Sequence, residues 1–336
     1  MKEKLKKFLR YNYKLIFIYI ILICLTVIKL DYQIYTPGGL LNLNNRIKID
    51  NAYKSEGSFN LTYVRGYKGN ILFVLASYII PSWDLIPTKD IRIDGESEKE
   101  NGERNKIYLN DVNKNAVIVA FKALGLEVNT YKKGIKVIYI YKESDTDLKI
   151  GDVITSINNI KVTNTDDLTN VVSSLKEGQK INLKVTRNNK EQNRYAIIKN
   201  IEGKLLIGIA IQNEIEINTD PEVSFKFKKN ELGPSGGLMT ALEIYDMLTK
   251  EDITKGYKIS GTGTINEDGS VGEISGIKYK LAGADKNGSQ IFICPTNNYE
   301  ECKSEKDKNK YDIKLIEGDN FNNVLTKLKE LPHYDK

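Results

Sequence analysis

Gly233-Pro-Ser-Gly-Gly-Leu-Met-Thr-Ala-Leu-Glu-Ile-Tyr-Asp-Met-Leu-Thr249 is the stretch on which the reading of this chain turns. Leu238, Leu242, Tyr245 and Leu248 recur at helical spacing on one face, and Met239 and Ile244 fall on another, which predicts a well-buried helix opened by a glycine-rich turn. A serine in such a turn presents its hydroxyl, and the first N–H groups of the helix have no partner within it. Donors of that kind stabilise a developing oxyanion by about 3 kcal/mol each when pre-organised. Gly233, Pro234, Gly236 and Gly237 therefore form a candidate oxyanion turn around a candidate nucleophile, Ser235. The plainer reading makes Ser235 the N-cap of the helix.

A serine needs a base, and the only histidine is His333, near the C-terminus, where a fraying segment holds no imidazole rigidly. That disfavours a Ser-His-Asp triad, a Cys-His pair and any two-histidine metal site. The remaining base is a lysine made neutral by burial, its pKa lowered by several units from about 10.4. Residues 261–276 read as a two-stranded hairpin about Glu267-Asp-Gly269, leading into a helix over 277–285. Lys278 and Lys280 lie two positions apart on that helix and point to roughly opposite sides, so one of them alone faces the serine.

The chain has 336 residues, 40% hydrophobic and 28% charged, enough for two or three globular domains. Its net charge of +6 is spread over 50 basic and 44 acidic residues without an arginine block, so no nucleic-acid partner is expected. Cys24, Cys294 and Cys302 show no paired spacing, and neither a metal nor a cofactor is expected. Cys294 and Cys302 either pair or remain thiols.

Residues 15–28 carry no charge, and 13–30 suffice to cross a bilayer if Lys14 and Lys29 snorkel. Six basic residues, Lys2, Lys4, Lys6, Lys7, Arg10 and Lys14, precede the span against Glu3 alone. The positive-inside rule then keeps a basic tail, 1–12, in the cytoplasm and everything after Asp31 outside. A cleaved signal peptide would want a small-x-small site, and Lys-Leu-Asp-Tyr-Gln follows instead. Residues 31–112 read as a membrane-proximal β-rich region. Within it 71–86 is mostly apolar and carries the single tryptophan, Trp83, either touching the bilayer or buried in a helix.

From 113 to 200 a compact β-rich module is predicted, with strands over 135–141 and 180–186 and a short helix over 166–175. Leu148-Lys-Ile-Gly-Asp-Val-Ile-Thr-Ser-Ile-Asn-Asn-Ile-Lys-Val162 resembles the PDZ domain, whose families bind extended peptides at a sheet edge. On that resemblance Ala123-Leu-Gly-Leu-Glu-Val128 is the candidate carboxylate-binding loop. The alternative is a module that only spaces the last domain from the membrane.

Residues 201–336 resemble the Lon-type Ser-Lys proteases, closely over 223–295. The resemblance rests on the Pro234-Ser-Gly-Gly237 turn before a helix, the Thr262-Gly-Thr-Ile265 segment and the Gly276-Ile-Lys-Tyr-Lys280 helix. It implies an α+β protease domain in which Ser235 is the nucleophile, Lys280 the general base and Thr262 the hydroxyl that orients the lysine. Two positions depart from the usual pattern: Gly236 stands for alanine, and Leu232 for glycine or aspartate. The order of anchor, PDZ-like module and Lon-like domain, with Tyr35-Thr-Pro-Gly-Gly39 and Gly57-Ser-Phe-Asn-Leu-Thr62, is similar to the YlbL-type bacterial membrane proteins. Lon-type domains often assemble in rings, which allows a homo-oligomer. The chain contains no Gly-x-x-x-x-Gly-Lys-Ser/Thr, its Gly203-Lys204 pair being followed by Leu205, so an ATP-independent enzyme acting on flexible or unfolded extracytoplasmic protein is expected. A phosphate-binding reading of the glycine turn and a non-catalytic PDZ scaffold are the other readings.

Overall fold

A computed structural model of the protein describes residues 2–201, 203–229, 231 and 233–335. Helix α1 (Lys2–Val27) comes first, and none of its apolar side chains from Phe8 onward is buried, most of them being exposed. It is long and apolar enough to cross a membrane, with a mean hydropathy of 1.7. Beyond Ile28 the backbone turns directly into β1 (Lys29–Asn42), so Lys29 and Leu30, expected within the span, belong to a sheet. The reason is a partner the local sequence does not reveal: Lys29 pairs with Asn70.

The chain continues through β2 (Ile47–Ile49), β3 (Ser58–Asn70), α2 (Ile71–Ser77) and β4 (Asp84–Pro87) to the long helix α3 (Glu98–Ala123). A reciprocal cap fixes the start of α3: the Ser97 hydroxyl accepts from the Glu100 N–H, and the Glu100 carboxylate accepts from the Ser97 N–H. Val112, Ala116, Val117, Ala120 and Phe121 bury its second half. The expected boundary at 112/113 thus falls inside one continuous helix.

Next come β5 (Val128–Ile140), β6 (Val153–Ile157), β7 (Ile160–Lys161), α4 (Thr165–Ser173), β8 (Lys180–Arg187) and β9 (Lys190–Ile197). Short β10 (Lys199–Ile201) and β11 (Lys204–Leu206) lead into β12 (Ile209–Thr219). One sheet, ordered β12-β5-β6-β8-β9 with β7 on β6, encloses its own core of Ile135, Val137, Ile154, Leu168, Val172 and Leu183. In the β5–β12 ladder Val128 pairs with Thr219, so the chain enters and leaves this module side by side. The module runs to Thr219 rather than ending near 200, because β12 closes its sheet.

After β13 (Val223–Phe225), which pairs with β2, follow α5 (Gly237–Leu248), β14 (Lys258–Gly261), α6 (Ile277–Lys286), β15 (Ile291–Pro295), α7 (Tyr299–Asn309), β16 (Lys314–Gly318) and α8 (Phe321–Lys329). A second sheet has the order β16-β15-β14-β3-β1-β4, with β14 parallel to both β15 and β3. Three of its six strands therefore come from the region expected to stand apart near the membrane, and the β12-β5 module is inserted into that unit between α3 and β13. Ile291 and Ile293 of β15 face the core shared with α3, α5 and α8, while Phe292 and Cys294 face the core shared with α6 and α7. That alternation puts helices on both sides of the sheet, a mixed α/β arrangement of three layers.

Helix α6 crosses β1 at a bulge whose register shifts between Pro37 and Leu40. A Cβ on Gly38 would lie 1.9 Å from the Tyr63 carbonyl oxygen, and one on Gly283 only 3.4 Å from the Gly38 backbone. Gly38 and Gly39 of Tyr35-Thr-Pro-Gly-Gly39 both face Tyr63, so this glycine pair is what lets β1 lie against β3 at the bulge.

The hairpin expected over 261–276 is instead a loop. Its two arms form no regular strands but still meet in antiparallel register, the Asn266 N–H donating to the Ser270 carbonyl at 3.0 Å and the Thr264 N–H to the Gly272 carbonyl at 3.3 Å, with Gly263, Gly269 and Gly276 at positive φ. Cys294 and Cys302 form a disulfide.

Candidate active site

Gly233, with φ of +101°, opens the turn, and Gly236, not Ser235, occupies the N-cap of α5. The Ser235 hydroxyl therefore has no part in closing the helix, which removes the plainer explanation for this serine. Leu232 lies outside the described residues. A Cβ on Gly237 would meet Val112 Cγ2 at 2.4 Å and the Ile265 backbone nitrogen at 2.8 Å, so the first turn of α5 is wedged between α3 and the loop after β14. A Cβ on Gly236 would meet only the tip of the Leu61 side chain, at 2.8 Å.

Two bonds tie the turn to the end of β14. The Ser235 carbonyl accepts from the Gly263 N–H at 2.8 Å and from the Thr262 hydroxyl at 2.9 Å. Thr262 in turn accepts a hydrogen bond from Lys280 Nζ at 3.0 Å. The three residues are thus joined as Lys280 amine, Thr262 hydroxyl and Ser235 carbonyl. Among the described residues the Ser235 hydroxyl makes no hydrogen bond of its own, to Lys280 or to any other group. The N–H groups of Ser235 and Gly236 likewise have no acceptor among the described residues.

Lys280 is 4% exposed on the inner face of α6, and burial alone pushes its amine down to about 7. Lys278 faces the other way and donates to both Asp84 carboxylate oxygens, at 3.0 and 2.7 Å; Tyr279 donates to the same carboxylate. Burial opposes ionisation of Asp84, but the hydrogen bonds from Lys278 and Tyr279, together with the Lys278 charge, outweigh it and hold its carboxyl below the usual range. Asp84 thereby pins the first turn of α6, directly ahead of Lys280. His333 is far from rigid burial: it is exposed and meets Glu56 at 2.9 Å.

Two buried acids on α5 were not singled out from the sequence. Glu243 is pushed up to about 8 by burial and then by neighbouring Asp246, and Asp246 is itself raised to about 6 by burial. Asp246 accepts from the Ser55 hydroxyl and from the Ile253 N–H. The signal available was their position in a helix apolar on every side.

In the inserted module a cleft of about 810 Å³ opens between α4 and the β11–β12 corner, lined by Leu168, Val172, Leu205, Ile207, Gly208 and Ile209. Gly208 has φ of +81°, and its carbonyl accepts from the Ser144 hydroxyl. The expected carboxylate loop over 123–128 does not line this cleft. Leu124 caps α3, and Val128 starts the far end of β5.

Residues 122–195 match the PDZ domain, and residues 226–330 match the Lon protease (S16) C-terminal proteolytic domain. Two curated proteins from Pseudomonas putida, strains GB-1 and ATCC 700007, each described as a probable periplasmic serine endoprotease, DegP-like, are 33% and 32% identical over 94 residues. Those residues are 28% of this chain and 18% of theirs, so the chain spans less than a fifth of their length. Among solved structures, the PDZ domains of SdrC-like proteins from Listeria monocytogenes and Listeria innocua are each 22% identical to it. They cover 24% of this chain and 88% and 93% of their own, with TM-scores of 0.22 and 0.23.

Proposed function

We propose that the protein is a membrane-anchored serine endopeptidase in which Ser235 and Lys280 form a catalytic dyad that works without ATP. The observation that carries this reading is a lysine amine, 4% exposed, held among the described residues only by a threonine hydroxyl that is itself bonded to the backbone of the serine turn. The Thr262 proton is committed to the Ser235 carbonyl, so Thr262 can only accept from Lys280. One N–H of a neutral amine is thereby fixed, and its lone pair is left to receive the proton of Ser235 once that side chain rotates toward it.

Lys280 takes this proton as Ser235 Oγ attacks a peptide carbonyl, and the N–H groups of Ser235 and Gly236 stabilise the resulting oxyanion. The protonated Lys280 then gives its proton to the leaving amine, which departs with the carbonyl carbon left on Ser235. Water hydrolyses this ester, losing its proton to Lys280 in the same way, and Ser235 is regenerated. Gly233, Pro234 and Gly237 shape the turn, and Thr262 positions the amine.

Helix α1 is read as an uncleaved anchor, the basic tail cytoplasmic and both folded units outside. The cleft between α4 and β11–β12 accepts an extended peptide tail, feeding flexible or unfolded membrane-proximal chains to Ser235. The scaffold reading predicts a different outcome in cells. Peptides released from cells making the native protein are compared with those from cells making Ser235→Ala; a protease loses specific cleavage products, and an unchanged peptide set would leave the scaffold standing.

A further inference from the structure

The segment between α2 and β4 carries a surface that the catalytic reading does not use. Residues 71–83, Ile-Leu-Phe-Val-Leu-Ala-Ser-Tyr-Ile-Ile-Pro-Ser-Trp, contain no charged side chain. No residue of α2 is buried, and Leu75, Tyr78 and Ile79 are 54%, 78% and 80% exposed. Isolated apolar residues on a surface need no explanation, but an uncharged run that folds into a helix and shows its apolar side outward does.

Its place in the sheet says what covers it. Lys29, just after α1, pairs with Asn70, which caps α2, and α2 touches α1. If α1 spans the bilayer, a single ladder rung fixes α2 within about 5 Å of the point where the chain leaves it. Around that point lies a cluster of aromatic rings. Phe73 packs edge-on against Tyr67 at 5.7 Å and Trp83 at 5.9 Å, while Tyr32 and Tyr67 are partly open to solvent. Tyrosine and tryptophan favour the headgroup level, where an apolar ring and a polar edge are both satisfied.

We propose that residues 71–83 form a second membrane contact, an interfacial loop whose Leu75, Tyr78 and Ile79 enter the outer face of the bilayer beside α1. The inference rests on reading α1 as the anchor. A single span leaves the attached unit free to swivel, whereas a second contact point holds one face toward the lipid. Asp84, next in sequence to Trp83, grips Lys278 and Tyr279 of the helix that carries Lys280, so the orientation set at the bilayer is the orientation of the catalytic helix. Substrates are then chains that lie close to the membrane surface.

Trp83 is the only tryptophan, so fluorescence excited selectively at tryptophan, away from the tyrosine absorption, reports this loop alone. The chain is reconstituted into phosphatidylcholine–phosphatidylglycerol vesicles containing lipids brominated either high or deep on their acyl chains. The expected result is quenching that is stronger with the shallow bromines, with loss of about half of it or more in the double variant Leu75→Asp, Ile79→Asp, while the variant still floats with the vesicles. Equal, weak quenching of native and variant chains by either lipid overturns the proposal. So does Trp83 shielded from aqueous iodide but untouched by bromine, which would assign the surface to a second copy of the chain. A chain that fails to float with vesicles overturns the anchor itself, and this contact with it, so the two failures are told apart.

Discussion

In the proposed dyad Lys280 can serve as the base because burial alone lowers its pKa. Its folded pKa of about 7 lies below the ordinary 10.5, so between those values the unfolded chain holds a proton that the folded chain has released. Stability therefore rises with pH from about 7 to about 10.5, and below about 7 the penalty is present in full. At about 1.4 kcal/mol per pKa unit the penalty amounts to a few kcal/mol. Replacing the amine by an apolar chain of similar length removes it. Lys280→Met is expected to be inactive yet more stable at pH 7, with a higher midpoint in thermal or urea denaturation. A less stable Lys280→Met would mean that the amine is paired and charged in the native protein.

At the scale of the element, α5 is bound by two glycines with unlike neighbours. Gly237→Ala drives a methyl into the Ile265 backbone and is expected to cost more than about 3 kcal/mol, read by denaturation. Gly236→Ala meets only the end of Leu61, which can turn aside, and is expected to stay within about 1.5 kcal/mol. The same helix stores a pH response of opposite sign to that of Lys280. Glu243, raised to about 8, keeps its proton when folded and loses it when unfolded, so its contribution to stability is complete below about 4.5 and is lost as pH rises to about 8. Glu243→Gln keeps the shape without the ionisation. It is expected to flatten the fall of stability between those pH values, measured as urea midpoints across the range, and to leave Ser235 reactive.

On the scale of the whole molecule, one unit is interrupted by another. The strands Val128 and Thr219 that join them lie side by side, so bridging that gap with a short Gly-Ser linker in place of residues 128–219 is expected to preserve the reaction of Ser235 with an acylating probe. Selective cleavage of peptides with a matching tail should be lost. How far this organisation could be read in advance follows from which interactions are local. The buried helix after Ser235 and the strand-rich insert are carried by periodicity and short motifs, the choice of Lys280 over Lys278 came only from the resemblance to the Lon-type proteases, and the Lys280 amine, Thr262 hydroxyl and Ser235 carbonyl are joined by hydrogen bonds. The pairing of β3 with β14 was invisible, because those partners lie about two hundred residues apart and each strand looks alike whichever edge it joins. Helix α3 hid behind a polar first half and a Val-Ile-Val run that suits a strand equally well. The expectation of a carboxylate-binding loop over 123–128 misses the cleft beside α4 because a short loop resemblance carries no information about which strand ends next to that helix. The position of the cleft depends on β12 returning to pair with β5.

The most direct test of the dyad is the pH dependence with which a serine-directed acylating probe labels Ser235 in the full chain, followed by mass spectrometry of the modified peptide. The reading of Lys280 as a buried neutral base predicts labelling of Ser235 that rises with pH through about 7 and disappears in Lys280→Met. Labelling of equal rate in Lys280→Met, or labelling of the native chain that rises only near pH 10, would contradict it.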